Sequence, residues 1–124
     1  MTPAPAPQGD HATRFQPTLS PAEKRSLQRR TYHQVTFESV DFAGSDFRLS
    51  RFTSVTFLHC DLSSADLRAA EFTGCRFVEC VLASVRLGNG RFADTIFRNC
   101  RRLSAEERRR ILSLGGRWVE SLRE

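Results

Sequence analysis

From Phe37 to Phe97 a Phe or Leu recurs at every fifth residue without a break: Phe37, Phe42, Phe47, Phe52, Phe57, Leu62, Leu67, Phe72, Phe77, Leu82, Leu87, Phe92 and Phe97. Two places before each lies a small or β-branched residue, from Val35 and Val40 through Ser45, Cys60 and Ala65 to Gly90 and Thr95. Neither ordinary element tolerates that rhythm. Five steps turn an α-helix by about 140°, spreading the large side chains around its circumference, and in a continuous strand an odd step sends them to alternate faces. The chain must therefore be reset once per repeat. A short extended piece puts the small and the large residue on one side, since they are two apart, and the next two residues turn a corner. Ala43-Gly44, Ser63-Ser64, Thr73-Gly74, Gly88-Asn89 and Ala93-Asp94 supply turn chemistry at such corners. The predicted product is an all-β solenoid with one face of the chain always inward.

Repeats such as Cys60-Asp61-Leu62-Ser63-Ser64 and Ala65-Asp66-Leu67-Arg68-Ala69 resemble those of the pentapeptide-repeat family: a small residue, Asp or Asn, Leu or Phe, then two variable residues. The resemblance covers residues 35–99 and implies that family's right-handed quadrilateral β-helix, with four repeats to a coil. Residues twenty apart then stack at the roughly 4.8 Å spacing of neighbouring strands. Phe37, Phe57, Phe77 and Phe97 form one predicted interior column, and Phe52, Phe72 and Phe92 another. Phe42 with Leu62 and Leu82, and Phe47 with Leu67 and Leu87, fill the remaining sides.

The flanks divide the chain further. Residues 1–19, rich in Pro, Ala and Thr, read as a flexible tail. Ser20-Pro21-Ala22-Glu23 is a capping box with Pro at the first helical position, predicting a short helix from about Pro21 to Arg30 within an N-terminal cap spanning 20–34. The solenoid occupies 35–100 and ends because Arg102 would have to enter the interior. In 101–124 a second capping box, Ser104 to Glu107, accompanies Leu103, Ile111, Leu114, Trp118 and Leu122 at helical spacing, with Gly115-Gly116 as a break or bend. That segment is expected to cap the last coil, since an open strand edge invites pairing. Ile111, Leu114, Trp118 and Leu122 are also its candidate homodimer stripe, as C-terminal helices serve in some members of the family.

At 124 residues the chain fits one domain, without an apolar run of membrane-spanning length or the regions of a signal peptide, so a cytoplasmic location is expected. The net charge of +5 is unevenly placed. Residues 35–99 carry seven basic and eight acidic side chains, while 1–34 carry five and two, and 100–124 seven and four. Cys60, Cys75, Cys80 and Cys100 lack zinc-finger or CxxC spacing. Three of them, Cys60, Cys80 and Cys100, fall in one column and read as small buried apolar residues.

No cofactor, metal or catalytic residue is assigned. His59-Cys60-Asp61 offers a base, a nucleophile and an acid in sequence, but the register sends Cys60 inward, Asp61 outward and His59 to a corner. Outward columns such as Asp41 with Asp61, and Asp46 with Asp66, Arg86, Arg48 and Arg68, are mixed in charge. Thr56, Leu58, His59, Val78, Glu79 and Ile96 make the more apolar side and are the candidate partner-binding face. The arginines at 101, 102, 108–110 and 117 form the densest basic cluster and read first as a solvated helix face. The expected function is a non-catalytic scaffold for another protein. The family resemblance supplies an alternative, a duplex-DNA mimic acting on DNA gyrase, although those relatives are longer and acidic. Nucleic-acid binding through the basic ends is a second alternative.

Overall fold

The computed structural model describes residues 20–119. Ser20 Oγ accepts the Glu23 N–H while the Glu23 carboxylate accepts that of Ser20, and this closed box starts α1 (Pro21–Arg25). Three-residue strands follow in pairs: β1 (Thr31–His33) and β2 (Thr36–Glu38), β3 (Arg51–Thr53) and β4 (Thr56–Leu58), β5 (Glu71–Thr73) and β6 (Arg76–Val78), β7 (Arg91–Ala93) and β8 (Ile96–Arg98). Then come α2 (Ala105–Ser113) and β9 (Arg117–Val119).

The strands stack into two parallel sheets, ordered β1-β3-β5-β7 and β2-β4-β6-β8-β9. Partners are twenty residues apart, Phe37 to Phe57 and Phe52 to Phe72, so each coil contains four repeats. The other two sides hold only single bridges, running Asp41 to Asp61 to Val81 to Arg101 and Asp46 to Asp66 to Arg86. The architecture is a right-handed quadrilateral β-helix with a short helix at each end.

The residue before the central Phe or Leu differs between the two kinds of side, although Val81 and Arg86 hold that place on the bridge sides of the third coil. On the bridge sides it is Asp in the first two coils. Its carboxylate accepts the N–H two residues on, at 3.0 Å for Asp41 with Ala43 and 2.9 Å for Asp61 with Ser63, which bends the chain early into a turn. On the sheet sides that place is held by Thr, Arg, Glu or Ile, and the backbone there is extended. All corners but the one after Leu87, where Gly88 takes the positive φ, share one device. The residue two after the central one takes a positive φ at Gln34, Ser39, Gly44, Leu49, Ser54, His59, Ser64, Ala69, Gly74, Glu79, Ser84, Asp94 and Asn99. For residues with a Cβ this costs roughly 1–2 kcal/mol each, offset by the interior the corners enclose.

That interior is apolar and rich in aromatic rings. All thirteen central Phe and Leu residues are buried, as are Cys60, Cys75 and Cys80. One aromatic column stacks Tyr32 on Phe52 at 4.7 Å, Phe52 on Phe72 at 4.5 Å and Phe72 on Phe92 at 5.0 Å. The second stacks Phe57 on Phe77 at 4.7 Å and Phe77 on Phe97 at 4.5 Å. Between columns the rings meet edge to face, as Phe92 and Phe97 do at 70°. Each such pair adds about 0.5–1.5 kcal/mol beyond the area it buries.

Both ends differ from the sequence reading. The first helix stops at Arg25 rather than Arg30, because Leu27 and Tyr32 already keep the five-residue rhythm and are buried beneath Phe47 and Phe52. The ladder extends with them: the Asp46 N–H donates to Lys24 O and the Arg51 N–H to Arg30 O. The solenoid thus begins inside the segment assigned to the cap. At the other end α2 stops at Ser113 instead of carrying Trp118 on a helical stripe. Gly115, at φ 105, turns the chain, and β9 lies parallel on β8 with Trp118 opposite Phe97. The partner comes twenty-one residues later here, and the surplus residue is taken up at the glycine pair. Gly116 must lack a side chain, since a Cβ would lie 2.7 Å from Ile111 Cγ2 and 3.2 Å from the Phe97 ring. Leu122 and residues 1–19 lie outside the described residues.

Candidate interaction face

The sheet β2-β4-β6-β8-β9 presents two outward columns. One runs Thr36, Thr56, Arg76, Ile96, Arg117, and the other Glu38, Leu58, Val78, Arg98, Val119. Alternation along each strand puts the ring inside and its two neighbours outside. Four of the six predicted face residues, Thr56, Leu58, Val78 and Ile96, therefore share this surface. His59 and Glu79 stand at its corner instead, one coil apart, with His59 Nδ1 3.1 Å from Glu79 Oε1. Toward the C-terminal end the face sinks into a cleft of about 440 Å³ lined by Arg76, Val78, Ile96, Arg98 and Val119.

Arg76 and Arg98 were legible in the repeat register, flanking Phe77 and Phe97, but a search for apolar character passes over them. Arg117 and Val119 were not, because reading a helix through Trp118 hides the strand that puts them here. Among the described residues none of Arg76, Arg98 and Arg117 has an ion-pair partner.

The opposite side of the coil behaves differently. Arg48 Nε and Nη2 donate to Asp46 Oδ1 and Oδ2 at 2.9 and 2.7 Å, and Arg68 grips Asp66 the same way at 2.8 and 2.6 Å. Those forks hold both carboxyls below the usual Asp range. Arg48 also lies 3.8 Å from Asp66, linking two coils. These charges are spent within the chain.

The remaining sequence candidates disperse. Cys60 turns inward with its thiol 3.2 Å from Phe37 O, His59 points to Glu79, and Asp61 is occupied by the Ser63 N–H, so the three do not converge. All four thiols are free, and burial pushes Cys75 up to about 11 and Cys80 well above an ordinary thiol. Among the described residues no group of three or more His, Cys, Asp and Glu is arranged to hold a metal. The candidate dimer residues do not form one helical stripe, since Trp118 lies on β9 and not on α2. Ile111 is 0% exposed, Leu114 packs on the core, and the Trp118 ring lies on Phe97 at 5.9 Å with Arg108 4.5 Å above it. They close the chain's own last coil, because β9 folds back where a continuous helix would have projected. Of the basic cluster, Arg108 covers Trp118 and Arg110 donates to Gly88 O at 3.1 Å.

A model of pentapeptide repeats matches eight copies, over residues 33–68 and 60–99. The chain belongs to the pentapeptide-repeat family. No curated protein matches it in sequence. Among solved structures it resembles trypsin-treated QnrB1, a plasmid-mediated fluoroquinolone resistance protein, with a TM-score of 0.50 and 19% identity over 73% of this chain and 48% of that one. The chain thus spans about half the length of that relative. A pentapeptide repeat protein from the Arabidopsis thaliana thylakoid lumen matches with a TM-score of 0.33 and 19% identity, covering 73% of this chain and 77% of that one. At 19% identity the likeness to QnrB1 speaks for the fold alone.

Proposed function

We propose that this pentapeptide-repeat protein is a non-catalytic interaction module, a stiff four-sided rod whose β2-β4-β6-β8-β9 face engages another protein. The observation that carries this reading is the solvent-facing group Val78, Ile96 and Val119, the last 39% exposed, gathered over a cleft on the chain's broadest regular surface. Aliphatic side chains clustered in that way favour burial against a partner. A backbone tied by a ladder at every coil keeps the face in shape before binding, which lowers the ordering cost of association.

A DNA mimic needs a negative surface, and the charge argues against one here. Residues 20–75 carry seven basic and seven acidic side chains, and residues 76–119 carry ten and four. The Asp46 and Asp66 column is neutralised by its own arginines.

A photo-reactive amino acid at Leu58, compared with one at Thr53 on the neighbouring sheet, tests the proposal in the native host. A protein cross-linked from Leu58 and not from Thr53 supports it. Equal labelling of many proteins from both positions, or none from either, refutes it. Inhibition of a supercoiling reaction by excess protein would instead revive the mimic reading.

A further inference from the structure

We infer that the partner of this face is an acidic protein segment in which carboxylates alternate with aliphatic side chains, held by Arg76, Arg98 and Arg117 around Val78, Ile96 and Val119. The inference rests on the reading of this face as a protein-binding surface and adds the chemistry of what binds.

Arginines keep unlike company on two opposite sides. On the side of Asp46 and Asp66, Arg48 and Arg68 each come two residues after an aspartate, and the chain satisfies both with a two-pronged carboxylate contact. On this face the same strand positions pair differently. Arg76 is followed two residues on by Val78, and Ile96 by Arg98, so no carboxylate of the chain is in place. Strand pairing then alternates them: Arg76 sits beside Ile96 and Ile96 beside Arg117, while Val78 sits beside Arg98 and Arg98 beside Val119. Neighbouring rungs are about 4.8 Å apart, so each guanidinium is flanked by aliphatic surface and each aliphatic group by a guanidinium.

The carboxylates next along the chain do not relieve this charge. Glu79 is at a corner against His59, and Asp94 is an exposed corner residue. A planar guanidinium with apolar neighbours binds a carboxylate more strongly than one fully in water, and its fork matches the carboxylate edge. The excess of basic over acidic groups across residues 76–119, ten to four, also favours approach of an acidic partner from a distance.

Nucleic acid fits less well. Phosphates would take the arginines but leave Val78, Ile96 and Val119 dehydrated without an apolar partner. Bases would need an aromatic platform, and every described Phe and Tyr is buried while Trp118 is covered by Phe97 and Arg108.

The test is selection of random 12-residue peptides displayed on phage against the full chain at low salt. Recovered peptides are then synthesised with a fluorescent label and titrated by anisotropy, alongside a labelled DNA duplex and a labelled single-stranded RNA. The expected peptides are rich in Asp and Glu interspersed with Val, Ile or Leu. Their affinity falls at least about tenfold for the double variant Arg76→Glu, Arg98→Glu and several-fold for Val78→Ser, Ile96→Ser, weakens with salt, and is unmoved by Arg51→Glu on the other sheet. All these positions are at the surface, and circular dichroism confirms folding of each variant. Enrichment of neutral or basic peptides, absence of enrichment, or acidic peptides indifferent to the charge reversal overturns the inference. In those cases cross-linking from Leu58 still decides the broader reading. Nucleic acid binding more tightly than any peptide, and lost on the same reversal, overturns both.

Discussion

The two ends of the rod are closed by different means. At the N-terminal end the chain slides into the coil in phase: Leu27 and Tyr32 are buried, and the corners at Arg29 and Gln34 already have the positive φ of the later ones. At the C-terminal end the chain leaves phase at Arg102, makes α2, and re-enters through β9 with one surplus residue and a half-buried Trp118. The lesson is that a stacked repeat does not need a separate cap domain. It needs an element presenting a ring to the last ring and a strand to the last strand. An in-phase entry does both with continuous packing, whereas an out-of-phase return depends on two glycines.

Breaking the in-phase end should have the largest effect. Tyr32→Ala removes a ring that is fully buried, stacked on Phe52 and donating to Leu27 O at 3.3 Å, and is expected to cost about 3–5 kcal/mol in urea unfolding. A loss below about 1 kcal/mol would show that the first coil is not part of the cooperative unit. Breaking the other end should cost less. Gly116→Val forces a side chain against Ile111 and Phe97 and is expected to lose about 1–3 kcal/mol. Hydrogen exchange should show the loss first at β9 and α2, with β3 to β6 still protected; uniform loss would contradict the separateness of that end.

A smaller gain is expected within the first coil. Ser45 Oγ is buried without a hydrogen-bond partner, and Ala65 occupies the equivalent place one coil on. Ser45→Ala should therefore raise stability by about 1 kcal/mol, measured as a higher urea midpoint at unchanged slope, and a fall would mean that the hydroxyl is satisfied. The least effect should come from the charges that link the first two coils. Asp46 and Asp66 have depressed folded values, so their contribution is present above the unfolded carboxylate range, near pH 4, and is lost as pH falls through the lower folded values. Replacing both by Asn should cost less than about 1 kcal/mol at neutral pH and flatten the acid limb of a melting-temperature profile. An unchanged acid limb would assign it to other carboxylates.

The same contrast governs how far each region could be read in advance. Phe37 to Phe97 was legible because a five-residue period fits neither a helix nor an unbroken strand. Leu27 and Tyr32 obey the same period, but they lie among Lys24, Arg25, Arg29 and Arg30 after a genuine capping box, and local helix chemistry outweighed the rhythm. Ile111 and Leu114 keep the helical interval at the end of α2, but Trp118 falls in step with them from a strand. Whether Trp118 continues the helix depends on Gly115 and Gly116 and on the ring of Phe97, which lies far back in the chain. The interaction face followed the same division. Thr56, Leu58, Val78 and Ile96 came from register alone, while Arg117 and Val119 depended on a strand pairing that local sequence does not encode.

The uniform twenty-residue advance between paired strands has an engineering consequence. Lengthening this protein is permitted in whole coils, each adding about 4.8 Å and one further row of outward side chains to every side. An insertion of five residues would instead rotate everything after it by a quarter of a circuit, leaving the rings in contact but moving the downstream half of the arginine and valine pattern around the corner. Such a variant would fold and yet present a scrambled surface, which separates the durability of the scaffold from the message written on it.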